Sequence, residues 1–183
     1  MKNRILVLAA VIGLGFGSCK KGEQGPQGAK GETGAPAAQA ESFIFTAQQV
    51  PPTLDLGYDE GSGQQTWSGS RELTVNGYAA AVDKGIVLVY FRNVDNEGWH
   101  LGTMTTSRRE ENESISTNVY TAVLLKDKIQ VNVVSRSMFT DGLYLKFAKA
   151  DIKVILIKDA LAPVVSSLNV ANIAEVEGRL GLR

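Results

Sequence analysis

Apolar residues along this chain fall into three regimes. Ile5 to Phe16 is an unbroken apolar run of twelve residues, and residues 20–41 contain no large apolar side chain. From Phe43 onward, short β-branched and aromatic runs alternate with turn residues. The last regime reads as a series of strands. Ser42 to Thr46 starts the first, and Pro51-Pro52 closes it off. Residues 53–63, with Asp55, Asp59, Glu60 and three glycines, read as a loop. Gln65 to Ser70 carries Trp67 and predicts a second strand, with Arg71 to Val75 continuing it or pairing with it.

Asn76-Gly77 is a turn signal, and Tyr78 to Asp83 a helical turn leading to Lys84-Gly85. Ile86 to Phe91 is the most continuous apolar run, as expected of a strand buried on both faces. Asp95 to Gly98 turns the chain and Trp99 to Thr103 returns it as a hairpin partner. Arg108 to Glu113 forms a charged, exposed tip. Ser116 to Leu125 and Ile129 to Ser135 make a second hairpin around Lys126-Asp127-Lys128, with Ile129, Val131 and Val133 on one face. Leu143 to Phe147 and Ile152 to Ile157 supply the last strands. Ser166 and Asn169 serve as caps for a helix over 166–181, whose apolar side holds Ile173, Val176 and Leu180.

About eight strands at this spacing, none followed by a helical crossover pattern, predict an all-β fold. The expected architecture is an antiparallel β-sandwich, jelly-roll-like or similar, over residues 42–183, with a short helix packed on its edge. With 183 residues, one such domain leaves a long amino-terminal appendage.

That appendage has two parts. Lys2 and Arg4 precede the apolar run, and small residues Gly17 and Ser18 follow it. A helix of that run rises only ~18 Å against a ~30 Å hydrocarbon core, so an export signal over 1–18 fits better than a span. Cys19 comes next and is the only cysteine, so no internal disulfide can form. Gly22, Gly25, Gly28, Gly31 and Gly34 then recur with period three. Glycine at every third place is the collagen requirement, because only hydrogen fits at the axis of three chains. A homotrimer through this stem is one reading. A monomeric spacer is the favoured one, since the five triplets hold only Pro26 and Pro36. Ala35 to Glu41 forms a small-residue hinge, which ends a stem of residues 19–41.

Charge adds little. Formal net charge is zero, and loss of residues 1–18 leaves about −2. Basic residues are scattered, so the footprint of nucleic-acid binding is missing. His100 is the only histidine, which excludes a histidine-based metal cluster; strand alternation turns it away from Trp99 and Leu101, towards solvent. No Gly-x-Ser-x-Gly turn accompanies it. Asp55, Asp59 and Glu60 match no EF-hand spacing and read as a solvated loop rather than a calcium site. Asp95, Glu97 and Glu110 to Glu113 offer carboxylates for a hydrolase, though on hairpin tips without a cleft. Trp67 and Trp99, with Tyr58 and Tyr90, are candidates for a sugar-stacking surface, though aromatics in a small β domain more often belong to the core. No cofactor and no catalytic residue is expected.

Phe16-Gly17-Ser18-Cys19 resembles the lipobox of bacterial lipoproteins at its last three positions, with Phe16 where that family carries an aliphatic residue. The resemblance implies cleavage before Cys19, a diacylglycerol thioether on its sulfur and an acyl group, such as palmitate, on its amine. Several chains anchor far more firmly than one. With the five glycines, Gly85 to Tyr90, Gly98-Trp99 and Ile152 to Ile157 added, the chain resembles collagen-like lipoproteins of the Bacteroidota type. There the resemblance implies a proline where this chain has Gly102, and it implies no activity or site residue beyond Cys19. The expected function is therefore a non-enzymatic, lipid-anchored protein of the cell outer membrane, its membrane face left open by Lys20-Lys21. Its sandwich would present a binding or structural surface to a protein or glycan. The alternatives are a carbohydrate-binding module of the envelope and, third, a hydrolase.

Overall fold

The computed structural model describes residues 40–50, 53–94, 98–109, 115–138 and 149–182. Cys19, the Gly-X-Y stem and the expected signal segment lie outside the described residues. So do Pro51-Pro52, the Asp95–Glu97 turn, Glu110 to Ser114 and the strand expected at Leu143 to Phe147.

Two antiparallel sheets form the fold. The four-stranded sheet runs in the order β1 (Ala40–Gln49), β9 (Lys149–Ile157), β4 (Ile86–Asn93), β5 (His100–Leu101). The five-stranded sheet runs β2 (Leu54–Asp59), β3 (Gln64–Leu73), β8 (Ile129–Ser137), β7 (Ile115–Leu124), β6 (Thr103–Arg109). The all-β sandwich with a short carboxy-terminal helix is thus the observed fold.

The core lies between the sheets. Val89, Phe91, Ile152, Val154 and Leu156 from one sheet meet Leu73, Met104, Tyr120, Ile129, Val131 and Val133 from the other. Period-two alternation puts these residues on one face of each strand. Helix α1 (Tyr78–Lys84) contributes Tyr78 and Ala81 to the same core. The Tyr78 hydroxyl donates to the Leu125 carbonyl at 2.7 Å. Gly85 ends α1 where space requires glycine, because a Cβ there would lie 2.2 Å from the Ile157 carbonyl oxygen.

The other face of the four-stranded sheet is apolar too, which explains the continuous run Ile86 to Phe91. Leu88, Tyr90, Ile155 and Ile157 pack under Val165, Val176 and Leu180 from the carboxy-terminal segment. That segment holds a 3-10 turn (Asp159–Leu161), α2 (Ala162–Val165) and α3 (Ile173–Leu180). The single helix expected over 166–181 is therefore shorter. Ser166 closes α2 rather than opening a helix, and its hydroxyl donates to Pro163. Asn172 caps α3, accepting from the Glu175 N–H, while Asn169 closes a local turn onto Ala171.

Three further differences have local causes. The loop expected at 53–63 contains edge strand β2, because β3 supplies its backbone partners despite a polar, glycine-containing sequence. The hinge expected through Glu41 ends sooner, as Ala40 and Glu41 already pair with Ile157 and Leu156. The Trp99–Thr103 return strand pairs with β4 only at His100 and Leu101. Gly102 then adopts φ 72° and sends the chain into β6 of the opposite sheet.

Candidate functional site

The inner face of the five-stranded sheet changes character along its length. On β8 the inward positions Ile129, Val131, Val133, Ser135 and Ser137 are all fully buried. The first three feed the core, and the last two continue the same alternation with hydroxyls. Cross-strand pairing extends this switch into rows. Trp67 lies opposite both Asp55 and Ser135, Ser135 opposite Asn118, and Asn118 opposite Thr106. The next row places Gln65 opposite both Tyr58 and Ser137, and Ser116 opposite Arg108.

Buried polar groups need partners, and Ser135 and Gln65 find theirs within the rows. The Ser135 hydroxyl donates to Asn118 Oδ1 at 2.6 Å. Gln65 Nε2 donates to Asp55 Oδ1, which also accepts the Gly57 N–H at 2.8 Å. Ser116 and Ser137 are engaged as well. Trp67 is half-buried and belongs to neither apolar cluster among the described residues, whereas Tyr58 is 52% exposed. In register, Tyr58 is the diagonal neighbour of Trp67 across the β2–β3 pair.

Trp99 has a different setting, on the far side of the other sheet, where it packs against the Leu88–Tyr90 cluster. The Arg92 guanidinium lies 4.5 Å from its ring centroid and the Lys153 ammonium 4.9 Å. Each cation is itself paired: Arg92 with Asp151 at 2.5 Å, and Lys153 with Glu177 of α3 at 2.6 Å. Burial raises the Asp151 carboxyl, but bonds from the Ala47 N–H and Arg92, with the Arg92 charge, leave it below its ordinary value. Tyr90 donates to the Val170 carbonyl at 2.7 Å, and burial followed by the Glu177 charge pushes its phenol up to about 12. This arrangement fastens the carboxy-terminal segment to the sheet. The two tryptophans singled out from the sequence are thus separated, and Tyr90 is buried in the cluster against which Trp99 packs.

His100 is exposed on β5. Asp55 and Asp59 sit on β2 and close local turns; the Ser62 hydroxyl and Gly61 N–H hold Asp59 below the usual carboxylate range. Among the described residues no group of three or more His, Cys, Asp or Glu is placed to hold a metal. The surface hollows among the described residues include two of note. One of about 390 Å³ lies between α1 and the end of β9, floored by Ala80, Ala81 and Leu156 and rimmed by Glu41, Lys84 and Lys158. The other, a shallow groove of about 500 Å³, runs over Ser68, Ser70 and Asn132 on the outer face of the five-stranded sheet. No described helix is long and apolar enough to cross a membrane.

The ion pairs around Trp99 join residues up to 59 positions apart, so spacing alone gave no sign of them. The polar rows did leave a signal, since Ser135 and Ser137 extend the period-two pattern of Ile129, Val131 and Val133. The class defined is an antiparallel β-sandwich domain with one polar end to its inner sheet face. Comparison with protein-family models, curated proteins and solved structures finds no match.

Proposed function

We propose that this is a lipid-anchored protein of the cell envelope, held in the outer membrane through Cys19, which presents its sandwich as a non-enzymatic binding or structural domain. One observation carries this reading. A basic start, a twelve-residue apolar run, Gly17-Ser18-Cys19, a polar Gly-X-Y stretch and a β domain beginning at Ala40 follow one another in order. Each step suits a chain that is exported, acylated and then held off the membrane. If extended, the five triplets reach ~45 Å at ~3.1 Å per residue.

The test is detergent-phase partitioning with intact-mass analysis of the membrane-extracted protein. The expected result is loss of residues 1–18 and a mass increment for acyl chains on Cys19, with Cys19→Ala leaving the detergent phase. Soluble protein that retains residues 1–18 would overturn the reading. Sedimentation of the same material separates a trimeric stem from a monomeric spacer. A second reading, a carbohydrate-binding module, is favoured by the polar rows around Trp67.

A further inference from the structure

We propose that the hollow between α1 and the end of β9 is a binding site for a short zwitterionic peptide with apolar side chains. Its volume is about 390 Å³, near the lower end of the ~300–1,000 Å³ span of small-ligand pockets. The hollow exists because Gly77, Ala80 and Ala81 of α1 face Leu156 with side chains too short to fill the space. Spacings of three and four put those residues on one side of the helix. Ala81 and Leu156 close the bottom and are buried, whereas Ala80 and Ala160 are exposed. The floor is therefore apolar and reached from solvent.

The rim carries the selectivity. It holds two cations, Lys84 and Lys158, and two carboxylates, Glu41 and Asp159. Among the described residues the ion pairs lie elsewhere, and none of these four side chains is paired or hydrogen-bonded. A ligand with a single charge would meet a like charge on the same rim, which lowers affinity. A zwitterion meets both signs. In a di- or tripeptide the ammonium and carboxylate ends flank the side chains, in the order that this rim and floor require. The apolar floor also strengthens the attractions relative to open water. No aromatic side chain lines the hollow, so a sugar ring has no plate to stack on.

This inference rests on the reading of the domain as a presented binding surface and does not depend on the anchor. It is tested by calorimetry on the full chain in detergent micelles, with methyl chemical shifts of Ala80, Ala81 and Leu156 as a second readout. The probes are Ala-Leu, Leu-Leu and Ala-Phe, with Gly-Gly, N-acetyl-Leu-Leu and Leu-Leu amide for comparison. At least one of the first three should bind at millimolar concentration or below and shift those methyls. Removal of either terminal charge should weaken binding about two- to fivefold, and Gly-Gly should not bind. Lys84→Gln and Glu41→Gln should each weaken it to a similar extent. Ala80→Leu, at an exposed position, should fill the hollow and abolish binding. Cys19→Ala should bind as the unsubstituted chain does, which separates failure of this site from failure of the anchor. The proposal is overturned if none of the three apolar dipeptides binds at about 5 mM, where millimolar affinity would register. It is equally overturned if a singly charged probe binds as tightly as Leu-Leu, or if Lys84→Gln, Glu41→Gln and a folded Ala80→Leu all leave the affinity unchanged.

Discussion

Asp151 accepts the backbone N–H of Ala47 at 2.8 Å, across 104 positions of sequence. Ala47 sits where the β1–β9 register slips between Phe45 and Gln48, and it alone among the described non-glycine residues has positive φ, at 48°. An L-residue in that region costs roughly 1–2 kcal/mol, partly offset in a comparison with glycine by glycine's greater unfolded freedom. Ala47→Gly should therefore stabilise the domain by about 0.5–1 kcal/mol, read as a higher denaturant midpoint with unchanged slope.

The same carboxylate makes stability depend on acid. Its pKa is depressed in the folded state, so its contribution is fully present above the ordinary value of 3.8 and is lost as pH falls further, through the folded value. Asp151→Asn should lower stability at pH 7, by about 2 kcal/mol given that Arg92 is one-third exposed. It should also flatten the fall in melting temperature below pH 4. Parallel melts of both proteins from pH 7 to pH 2.5 would show it.

Gly85 tolerates nothing larger. Its φ of −136° is open to any residue, so the penalty is purely one of space against the Ile157 carbonyl. Gly85→Ala must push α1 from β9, at a cost of about 3 kcal/mol or more. Equilibrium unfolding would measure it, and an unchanged midpoint would contradict the close approach.

Fastening of the carboxy-terminal segment can be loosened at two points. Glu177→Gln removes the partner of Lys153, whose side chain is only 9% exposed. A loss of about 1–2 kcal/mol is expected, with faster amide exchange through α3 than in the central strands. Tyr90→Phe leaves the Val170 carbonyl without its donor and should cost about 1 kcal/mol. The Tyr90 contribution is fully present below pH 10 and is lost as pH rises towards 12, so the wild-type advantage over Tyr90→Phe should shrink in alkali.

Strands were legible wherever apolar residues alternated or ran together. Ile129, Val131 and Val133 alternate, and Ile86 to Phe91 runs without a break; both patterns follow from which faces are buried. Edge strand β2 was not legible, because Leu54 to Asp59 owes its pairing to β3 and every one of its residues is exposed. The Trp99 hairpin was read too long for a related reason. Gly102 looked like part of a strand, and only the position of the second sheet makes its positive φ a crossing point.

The candidate site was half visible. Trp67 stood out by residue type, but its companions Asp55, Gln65, Asn118 and Ser135 come from four strands and acquire meaning only through register. Trp99 stood out equally and proved to be clamped by Arg92 and Lys153.

From the sequence alone came the β-rich class, the faces of the long strands and the chemistry proposed for Cys19, since local alternation and a contiguous motif need no folded context. Tertiary structure decided which strands share a sheet, where the chain crosses between sheets, and which tryptophan keeps polar neighbours instead of cations. Those outcomes depend on contacts between residues tens of positions apart, whose geometry is set by packing two sheets and a helical segment around shared cores.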